Sequence, residues 1–197
     1  MRIVALVLAT ACTSSTPGDG WELVWQDEFQ GAADAPPDPA NWSFDVGGDG
    51  WGNDQLEYDT DRPANVALNG DGFLRIRAKR EAYEGNDWTS GRIKTKALQA
   101  FEYGKIEARI KLPAGKGIWP AFWMLGEDID AVGWPSCGEV DILEMRGEEP
   151  DTVFGTIHGP GYSGGSGVTT EVTFDGVDFS ADFHDFGIVW DPDTLVW

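Results

Sequence analysis

The sequence predicts an all-β protein, either a sandwich or a barrel of antiparallel strands. In several segments apolar and polar residues alternate with a period of two, as they do in half-buried antiparallel strands. Clusters of Gly, Pro, Asn and Asp separate these segments, and such spacing is typical of sandwiches and barrels. No segment carries the sustained period of 3.6 residues that an amphipathic helix would show.

The strands follow from this alternation, element by element. In FLRIRAKR (73–80) and KIEARIKL (105–112), an apolar residue at every second position alternates with a charged one. The other segments are shorter, and turn-forming residues bound them. In chain order, the predicted strands cover residues 21–25, 65–68, 73–80, 92–97, 105–112, 119–125, 139–145, 153–158, 169–174 and 186–190.

Composition limits the class of protein and of ligand. The 197 residues, 41% of them apolar, suffice for one domain with a sizeable core. The net charge of −20 argues against a nucleic-acid partner, because few cations are present to neutralise phosphates. It favours a neutral ligand. The ten tryptophans exceed what a core of this size needs, so exposed rings that stack on a flat ligand are expected.

The N-terminus, MRIVALVLATAC, resembles an export signal. One basic residue precedes an apolar run that is far shorter than the ~20 residues that span a bilayer. Residues 9–12 (ATAC) resemble a bacterial lipoprotein cleavage box. We therefore predict an export signal and short tether over 1–20, and an extracellular or cell-surface protein whose membrane contact is limited to a lipid on Cys12. A mis-set start codon and a buried N-terminal strand are the alternatives. Without Cys12, Cys137 has no disulfide partner.

Three acids lie among apolar residues in GEVDILEMRG (138–147). Glu139 and Asp141 share a face of a regular strand, but Glu144, five residues after Glu139, would lie on the other face. One extra residue in a β-bulge, Ile142 or Leu143, would return Glu144 to the face of the other two acids.

Two carboxyl groups across a scissile bond are what glycoside hydrolysis requires, and retaining enzymes hold them ~5–5.5 Å apart. Acids this close raise one another's pKa, which keeps one of them protonated. Asp141, between the glutamates, could orient the nucleophile and share a proton with it. The alternative is a solvated face of an edge strand.

Aromatic residues near the acids in sequence support a sugar ligand. Trp119, Trp123 and Trp134 lie just upstream, and Trp faces stack on sugar rings, although core packing would explain each one equally well. His158, in TIHGP (156–160), suits a hydrogen bond to a sugar hydroxyl or to a carboxylate, and it suits a purely structural role as well.

These motifs together resemble glycoside hydrolase family 16, in its laminarinase-like branch, which carries the bulged E-x-D-x-x-E form. The resemblance extends from residue 21 to 197, predicted here as the catalytic domain. Besides KGIWPAFWMLGE (116–127) and GEVDILEMRG, the matching motifs are WQDEF (25–29), GWGNDQLEY (50–58), YDTDRPANV (58–66), SGRIKTK (90–96), YGKIEARIKLP (103–113), TIHGPGYSGG (156–165) and FHDFGIVWDPD (183–193).

The resemblance implies a concanavalin-like β-jelly-roll sandwich with a concave substrate cleft. It implies retaining endo-hydrolysis of β-1,3-glucan or of mixed-linkage β-1,3-1,4-glucan by a monomer that binds the polysaccharide. Glu139 would be the nucleophile, Asp141 its helper and Glu144 the general acid/base.

The resemblance also implies binding residues. The chemistry would need no cofactor, and one structural calcium on the convex side would involve Glu28. Sugar subsites would be lined by Trp119, Trp123 and Trp134, and hydroxyls near the cut would be bound by Asn53, Arg92 and His158.

The chain departs from the family pattern in two places. Gln55, Glu57 and Asp59 stand where the family often has Glu, Gln and Tyr, which leaves subsite preference at that end open. The family also continues for several strands beyond Trp197. We therefore expect a C-terminal truncation, with this 197-residue chain poorly soluble or inactive alone and its longer parent active.

Two alternative functions stay open at this stage. Another specificity of the same family, such as agarase, would keep the mechanism, although the negative charge disfavours sulfated substrates. A non-catalytic β-glucan-binding protein would usually have lost one or both glutamates, and both are present here.

Overall fold

The computed structural model describes residues 20–197, together with the backbone of Arg2–Leu8. The predicted lipidation site at Cys12 and most of the predicted tether lie outside the described residues. Arg2–Leu8 forms a strand.

Strands dominate the described residues, as predicted, and the helices are single turns at Ile129–Val132 (α1) and Gly164–Ser166. The strands are β1 (Arg2–Leu8), β2 (Trp21–Asp27), β3 (Ser43–Asp45), β4 (Glu57–Asp59), β5 (Val66–Leu68), β6 (Leu74–Ile76), β7 (Lys79–Tyr83), β8 (Asn86–Ser90), β9 (Arg92–Lys94), β10 (Gly104–Ile110), β11 (Ala121–Leu125), β12 (Glu139–Glu144), β13 (Thr152–His158), β14 (Val168–Thr173), β15 (His184–Asp191) and β16 (Thr194–Val196).

The chain divides into two compact units. The first holds Gln26–Ala100, and the second holds Phe101–Trp197 with the N-terminal strands up to Trp25. The second unit contains a five-stranded sheet in the order β16-β15-β10-β1-β2 and a four-stranded sheet in the order β11-β12-β13-β14.

Alternating apolar residues of both sheets build the core of the second unit. Ile106 of β10, Ile188 of β15 and Ile142 of β12 form one buried cluster, so the two sheets pack against each other as in a sandwich. A second cluster joins Leu143 to Met145 and to residues beyond the strands. The four-stranded sheet therefore has one face in the core, which leaves its other face for a site.

The first unit is built from small sheets around a buried polar network. Asn65, fully buried, accepts a hydrogen bond from Thr60 (2.7 Å) and donates to the hydroxyl of Thr89 (2.9 Å) and to the carbonyl of Arg77 (3.0 Å). The motif YDTDRPANV is thus explained by structure: its Thr and Asn satisfy buried backbone and side-chain groups.

Two sequence predictions in the first unit need correction. The predicted strand 73–80 is divided between β6 and β7. The Arg77 amide still donates to the carbonyl of Asn65 opposite it (2.8 Å), but the backbone amide of Asn65 donates to the carbonyl of Arg62 (2.9 Å) and not back to Arg77, so the ladder ends there. The short strands β3, β4 and β8 were not predicted. Their sequences, SFD, EYD and NDWTS, are short and mostly polar, so they have too few apolar residues to show a period of two.

Among the described residues, helices are too short to cross a membrane.

Candidate active site

The acidic strand β12 carries the predicted bulge. On one side Trp123 pairs with Asp141 and Phe122 with Leu143, so a single step on β11 matches two steps on β12. On the other side Asp141 pairs with Thr156 and Glu144 with Phe154, so two steps on β13 match three on β12. The register identifies Ile142 as the extra residue opposite β11.

Burial shows what the bulge achieves. Ile142 and Leu143 are consecutive residues, yet both are buried in the core between the sheets, at 4% and 1% exposure. In a regular strand one of them would face outward. Because both face the core, Asp141 and Glu144 on either side of them lie on the opposite face, together with Glu139. The sequence prediction that a bulge unites the three acids on one face is confirmed.

The central acid, Asp141, is buried and sits in strong negative potential. Burial, followed by the charges of Glu144 and Glu139, raises the pKa of the Asp141 carboxyl well above its usual range. A hydrogen bond with the Glu139 carboxyl adds to this increase, because it requires a proton on Asp141. At neutral pH Asp141 is therefore protonated and donates to the Glu139 carboxyl group.

Glu144 is half-buried at the other end of the bulge. Burial raises the pKa of its carboxyl, and the negative charge of Glu139 raises it further. A hydrogen bond from Trp119 and the positive potential of His158 and Arg146 lower it in part. The two glutamates thus stand in different environments, which is how a site separates an acid from a carboxylate.

Trp134 and His158 surround the acid pair at Glu139 and Asp141. The indole N–H of Trp134 donates to Oε2 of Glu139, and the Trp134 ring lies 6.1 Å from the His158 ring. Nε2 of His158 lies 3.2 Å from Oδ2 of Asp141. A side chain at Gly167 would collide with the His158 ring, since a Cβ there would lie 2.4 Å from its Cε1. The glycine therefore makes room for the histidine beside Asp141.

The structure brings the predicted residues of the second unit to one face. Trp119 and Trp134 are 61% and 47% exposed, so their rings are accessible to a ligand although Trp119 contacts Glu144 and Trp134 contacts Glu139. Trp123 lies opposite Asp141 in the ladder and shares its face, because paired residues project to the same side. His158 contacts Asp141, which was one of the two partners that the sequence left open.

Asn53 and Arg92 belong to the first unit. Asn53 is exposed in a turn, where its backbone N–H donates to the backbone carbonyl of Gly50 (3.0 Å). Arg92 is held on two sides: its Nε lies 3.2 Å from Asp45, its cross-strand partner, and its guanidinium lies 4.9 Å from the Trp51 ring centre. A role for Asn53 and Arg92 in hydroxyl binding stays a prediction.

Glu28, the predicted calcium ligand, lines a surface depression of the first unit with Asp27 and Asp38. Asp27 is already engaged, since it accepts hydrogen bonds from the Phe29 amide and the Trp42 indole, both at 2.8 Å. Calcium takes six to eight oxygen ligands. Over the described residues, Glu28 belongs to no group of three metal-ligating side chains, so calcium at this position stays a prediction.

One group of side chains in the described part of the chain has the composition of a metal site. Donor atoms of Glu139, Asp141 and His158 lie within 4.8 Å of one another. Two of these residues are the acids whose proton the site shares, and a proton on Asp141 opposes metal ligation. The arrangement suits proton sharing, and we assign no metal to it.

Sequence reasoning missed two supports of the site. Asp45, which positions Arg92, carried no motif. Trp197 donates its indole N–H to the backbone carbonyl of Asp141 at 2.9 Å. A tryptophan after an apolar strand gave no signal for that contact, because it depends on how the two sheets pack.

Comparison with known proteins places this geometry in a family. The sequence profile described as "Glycosyl hydrolases family 16" matches residues 50–197. The solved laminarinase catalytic domain of Thermotoga maritima aligns with 89% of this chain and 72% of its own chain, with 48% identity and a TM-score of 0.82.

Two curated proteins are similar over most of the chain. A beta-glucanase of Rhodothermus marinus is 41% identical over 179 residues, and a glucan endo-1,3-beta-glucosidase of Cryptopygus antarcticus is 43% identical over 185. Each alignment covers 90% of this chain, but only 62% and 66% of those proteins. The chain thus spans slightly less than two thirds of their length.

The structural match confirms the predicted fold class, an all-β jelly-roll sandwich. The family profile includes the bulged strand and its three acids, and it accounts for most of the motifs from which the resemblance was drawn. The chain belongs to glycosyl hydrolase family 16.

Proposed function

We propose that the protein is a retaining endo-β-1,3-glucanase that acts on laminarin-type or mixed-linkage β-1,3-1,4-glucan. One observation carries the proposal: the bulge at Ile142 places Glu139 and Glu144 on one face, with a protonated Asp141 between them. The names of similar proteins, a laminarinase and a glucan endo-1,3-beta-glucosidase, support the substrate class.

Glu139 is the proposed nucleophile. It attacks the anomeric carbon and forms a covalent glycosyl-enzyme, while the glycosidic oxygen leaves with a proton from Glu144. Trp134 and Asp141 both donate to Glu139, so the carboxylate is held in position before attack. Held geometry of this kind lowers the entropic part of the barrier.

Glu144 is the proposed acid and then the base. While Glu139 is a carboxylate, its negative charge helps to keep the pKa of Glu144 raised and its proton in place. Once Glu139 is esterified that charge is gone, the pKa of Glu144 falls, and Glu144 accepts a proton from the water that hydrolyses the intermediate. The same pair of residues thus supplies both steps.

The exposed rings of Trp119 and Trp134 offer faces for sugar stacking beside the acids. A neutral glucan fits the strongly negative chain better than a sulfated polysaccharide does, because sulfate groups would need cationic partners. Asn53, Arg92 and His158 are proposed to bind hydroxyls near the cut.

The test follows new reducing ends when full-length protein and its Glu139→Gln variant are incubated with laminarin, lichenan and agarose. We expect release from laminarin by the wild type and a loss of at least about 10³-fold in the variant, since the nucleophile is gone. Glu127→Gln removes an exposed acid outside the strand and serves as the matched control. Cleavage of agarose alone would change the substrate, and binding of laminarin without any cleavage would overturn the enzymatic role.

Azide assigns the two glutamates separately. In Glu139→Ala, azide would take the place of the nucleophile and give a glycosyl azide of inverted configuration. In Glu144→Ala, azide would attack the glycosyl-enzyme and give a product of retained configuration. Products of the opposite pattern would reverse the proposed roles.

We further propose that the protein is exported as a monomer, extracellular or held at the cell surface by a lipid on Cys12. The sequence pattern of residues 1–12 alone supports export and the lipid, and the family resemblance implies the monomer. Labelling of cells with a radioactive fatty acid tests it: we expect label in the wild type and none in Cys12→Ser. Unlabelled wild type in the culture medium would support export without lipid, and protein confined to the cytosol would overturn export.

A further inference from the structure

We propose that Trp197 is a positioning residue of the catalytic strand: its indole N–H anchors the bulge that holds the two glutamates on one face. This inference rests on the proposed function for its kinetic consequence. The anchoring itself is a structural property and is tested separately.

The contact lies where the ladder of β12 is interrupted. Asp141 is the last residue in regular register with both neighbouring strands, because the shifts on the β11 and β13 sides begin next to it. The carbonyl of Asp141 accepts a hydrogen bond from Nε1 of Trp197 at 2.9 Å. A buried carbonyl left without a partner costs about 1–3 kcal/mol, so a donor at this point stabilises the irregular strand.

The donor comes from the opposite sheet. Trp197 directly follows β16, which pairs with β15 in the five-stranded sheet, whereas Asp141 belongs to the four-stranded sheet. The hydrogen bond therefore links the two sheets of the second unit, through an indole that is itself half-buried. It fixes the position of the bulged strand relative to the five-stranded sheet. The apolar contacts of Ile142 and Leu143 alone would define that position less precisely, because such contacts are non-directional.

Gly155 makes room for this indole. On β13, Thr156 pairs with Asp141 and Phe154 pairs with Glu144. Gly155 lies between these two residues and is thus opposite the bulge. A Cβ on Gly155 would lie 2.5 Å from Nε1 and 2.7 Å from Cδ1 of Trp197, which is too close for any real contact. The Trp197 indole occupies the space that a side chain at position 155 would need, so its position depends on the glycine.

The catalytic consequence follows from the position of Asp141. Its side chain donates to Glu139, and Glu144 follows after the two core residues of the bulge. A bulge that loses its anchor allows Glu139 and Glu144 to move apart. The two carboxyl groups are then less well placed to stabilise the transition state, whereas subsites distant from the bulge bind glucan as before.

The experiment replaces Trp197 by 3-benzothienylalanine, which keeps the shape of the bicyclic ring and lacks the N–H. We expect kcat on laminarin to fall about three- to tenfold, as for one lost hydrogen bond, with KM within twofold of wild type. We also expect faster amide hydrogen exchange in the peptide that contains β12. Trp88→Phe, at an exposed tryptophan of the first unit, is the control and should leave both readouts unchanged.

A second variant reaches the same contact from the other side. Gly155→Ala displaces the indole, and its effect on kcat should not add to that of the Trp197 analogue, because both remove one hydrogen bond. Unchanged kcat and unchanged exchange in the analogue would overturn the proposal. If the wild type cleaves no glucan, the proposed function fails, and exchange in β12 still decides the anchoring: faster exchange in the analogue supports it, and equal exchange refutes it.

Discussion

At the scale of single residues, Glu139 and Glu144 each form a hydrogen bond with a different tryptophan. The Trp134 indole donates to Glu139, and the Trp119 indole hydrogen-bonds Glu144, while both rings stay exposed. Each tryptophan can therefore serve a sugar ring with its face and a carboxylate with its N–H. Sequence reasoning anticipated the first role only, because nothing in the spacing of Trp119 or Trp134 reveals where an indole nitrogen points.

The pH dependence of activity tests the second role of Trp119. Its hydrogen bond lowers the pKa of Glu144, since it stabilises the ionised form. Trp119→Phe removes that bond, the pKa of Glu144 rises, and Glu144 stays protonated to higher pH. We expect the basic limb of the kcat/KM profile to shift upward by about half a unit to one unit, consistent with a hydrogen bond to a charged group.

The profile is measured on a soluble glucan between pH 4 and 10. Trp88→Phe, at an exposed tryptophan of the first unit, is the control and should leave the profile in place. A basic limb that stays fixed in Trp119→Phe, with activity retained, would mean that Trp119 serves the sugar and not the acid.

At the scale of elements, the acidic strand shows how far sequence reasoning reaches. The spacing of Glu139 and Glu144, odd for a strand, was enough to predict a bulge and to limit the extra residue to Ile142 or Leu143. It could not choose between them, because the choice depends on the partner strands. The ladder to β11 was needed to identify Ile142.

The same limit explains the errors elsewhere. A strand such as β10 was predictable because one face packs on the core and one does not, which gives a period of two. The short strands of the first unit are fixed by buried polar side chains such as Asn65, and these leave no periodic pattern. Contacts between sequence-distant residues, such as Asp45 with Arg92, were equally invisible.

The bulge gives a stability prediction for its extra residue. Ile142→Ala should lower the free energy of unfolding by about 2–4 kcal/mol, because Ile142 is buried between Ile106 and Ile188 and truncation leaves a cavity. Urea unfolding of the protein measures it. Val168→Ala, on an exposed edge strand, should cost well under 1 kcal/mol. Equal costs for the two variants would contradict the assignment of the extra residue to the core.

At the scale of the whole molecule, acidity acts on stability through two separate routes. The net charge of −20 produces general repulsion, which weakens as pH falls toward the sequence pI of about 4.2. Individual buried acids add a local term. Asp59 of the first unit is such an acid, at 2% exposure.

Asp59 allows the two routes to be distinguished. Burial, with the charges of Glu57 and Asp45, raises the pKa of the Asp59 carboxyl to about 7, although Arg92 and Trp51 lower it in part. Since the pKa in the folded state is the higher one, the folded state binds the proton more tightly than the unfolded state does. The stabilising contribution is complete below the unfolded value of 3.8 and is lost as pH rises through about 7.

Asp59→Asn should therefore melt at a higher temperature than the wild type at pH 8, by a smaller margin at pH 5, and at nearly the same temperature only below the unfolded pKa of 3.8. Its advantage at pH 8 is at most about 4 kcal/mol, since each pKa unit corresponds to ~1.36 kcal/mol. Thermal melts across this pH range in 0.05 M and 0.5 M NaCl separate the routes, because salt screens exposed charges and affects a buried one far less. Asp71→Asn, at an exposed loop acid, changes the net charge equally and is the control. If both variants gain the same stability at pH 8 and salt removes the gain, then net charge governs the pH dependence and the burial of Asp59 does not.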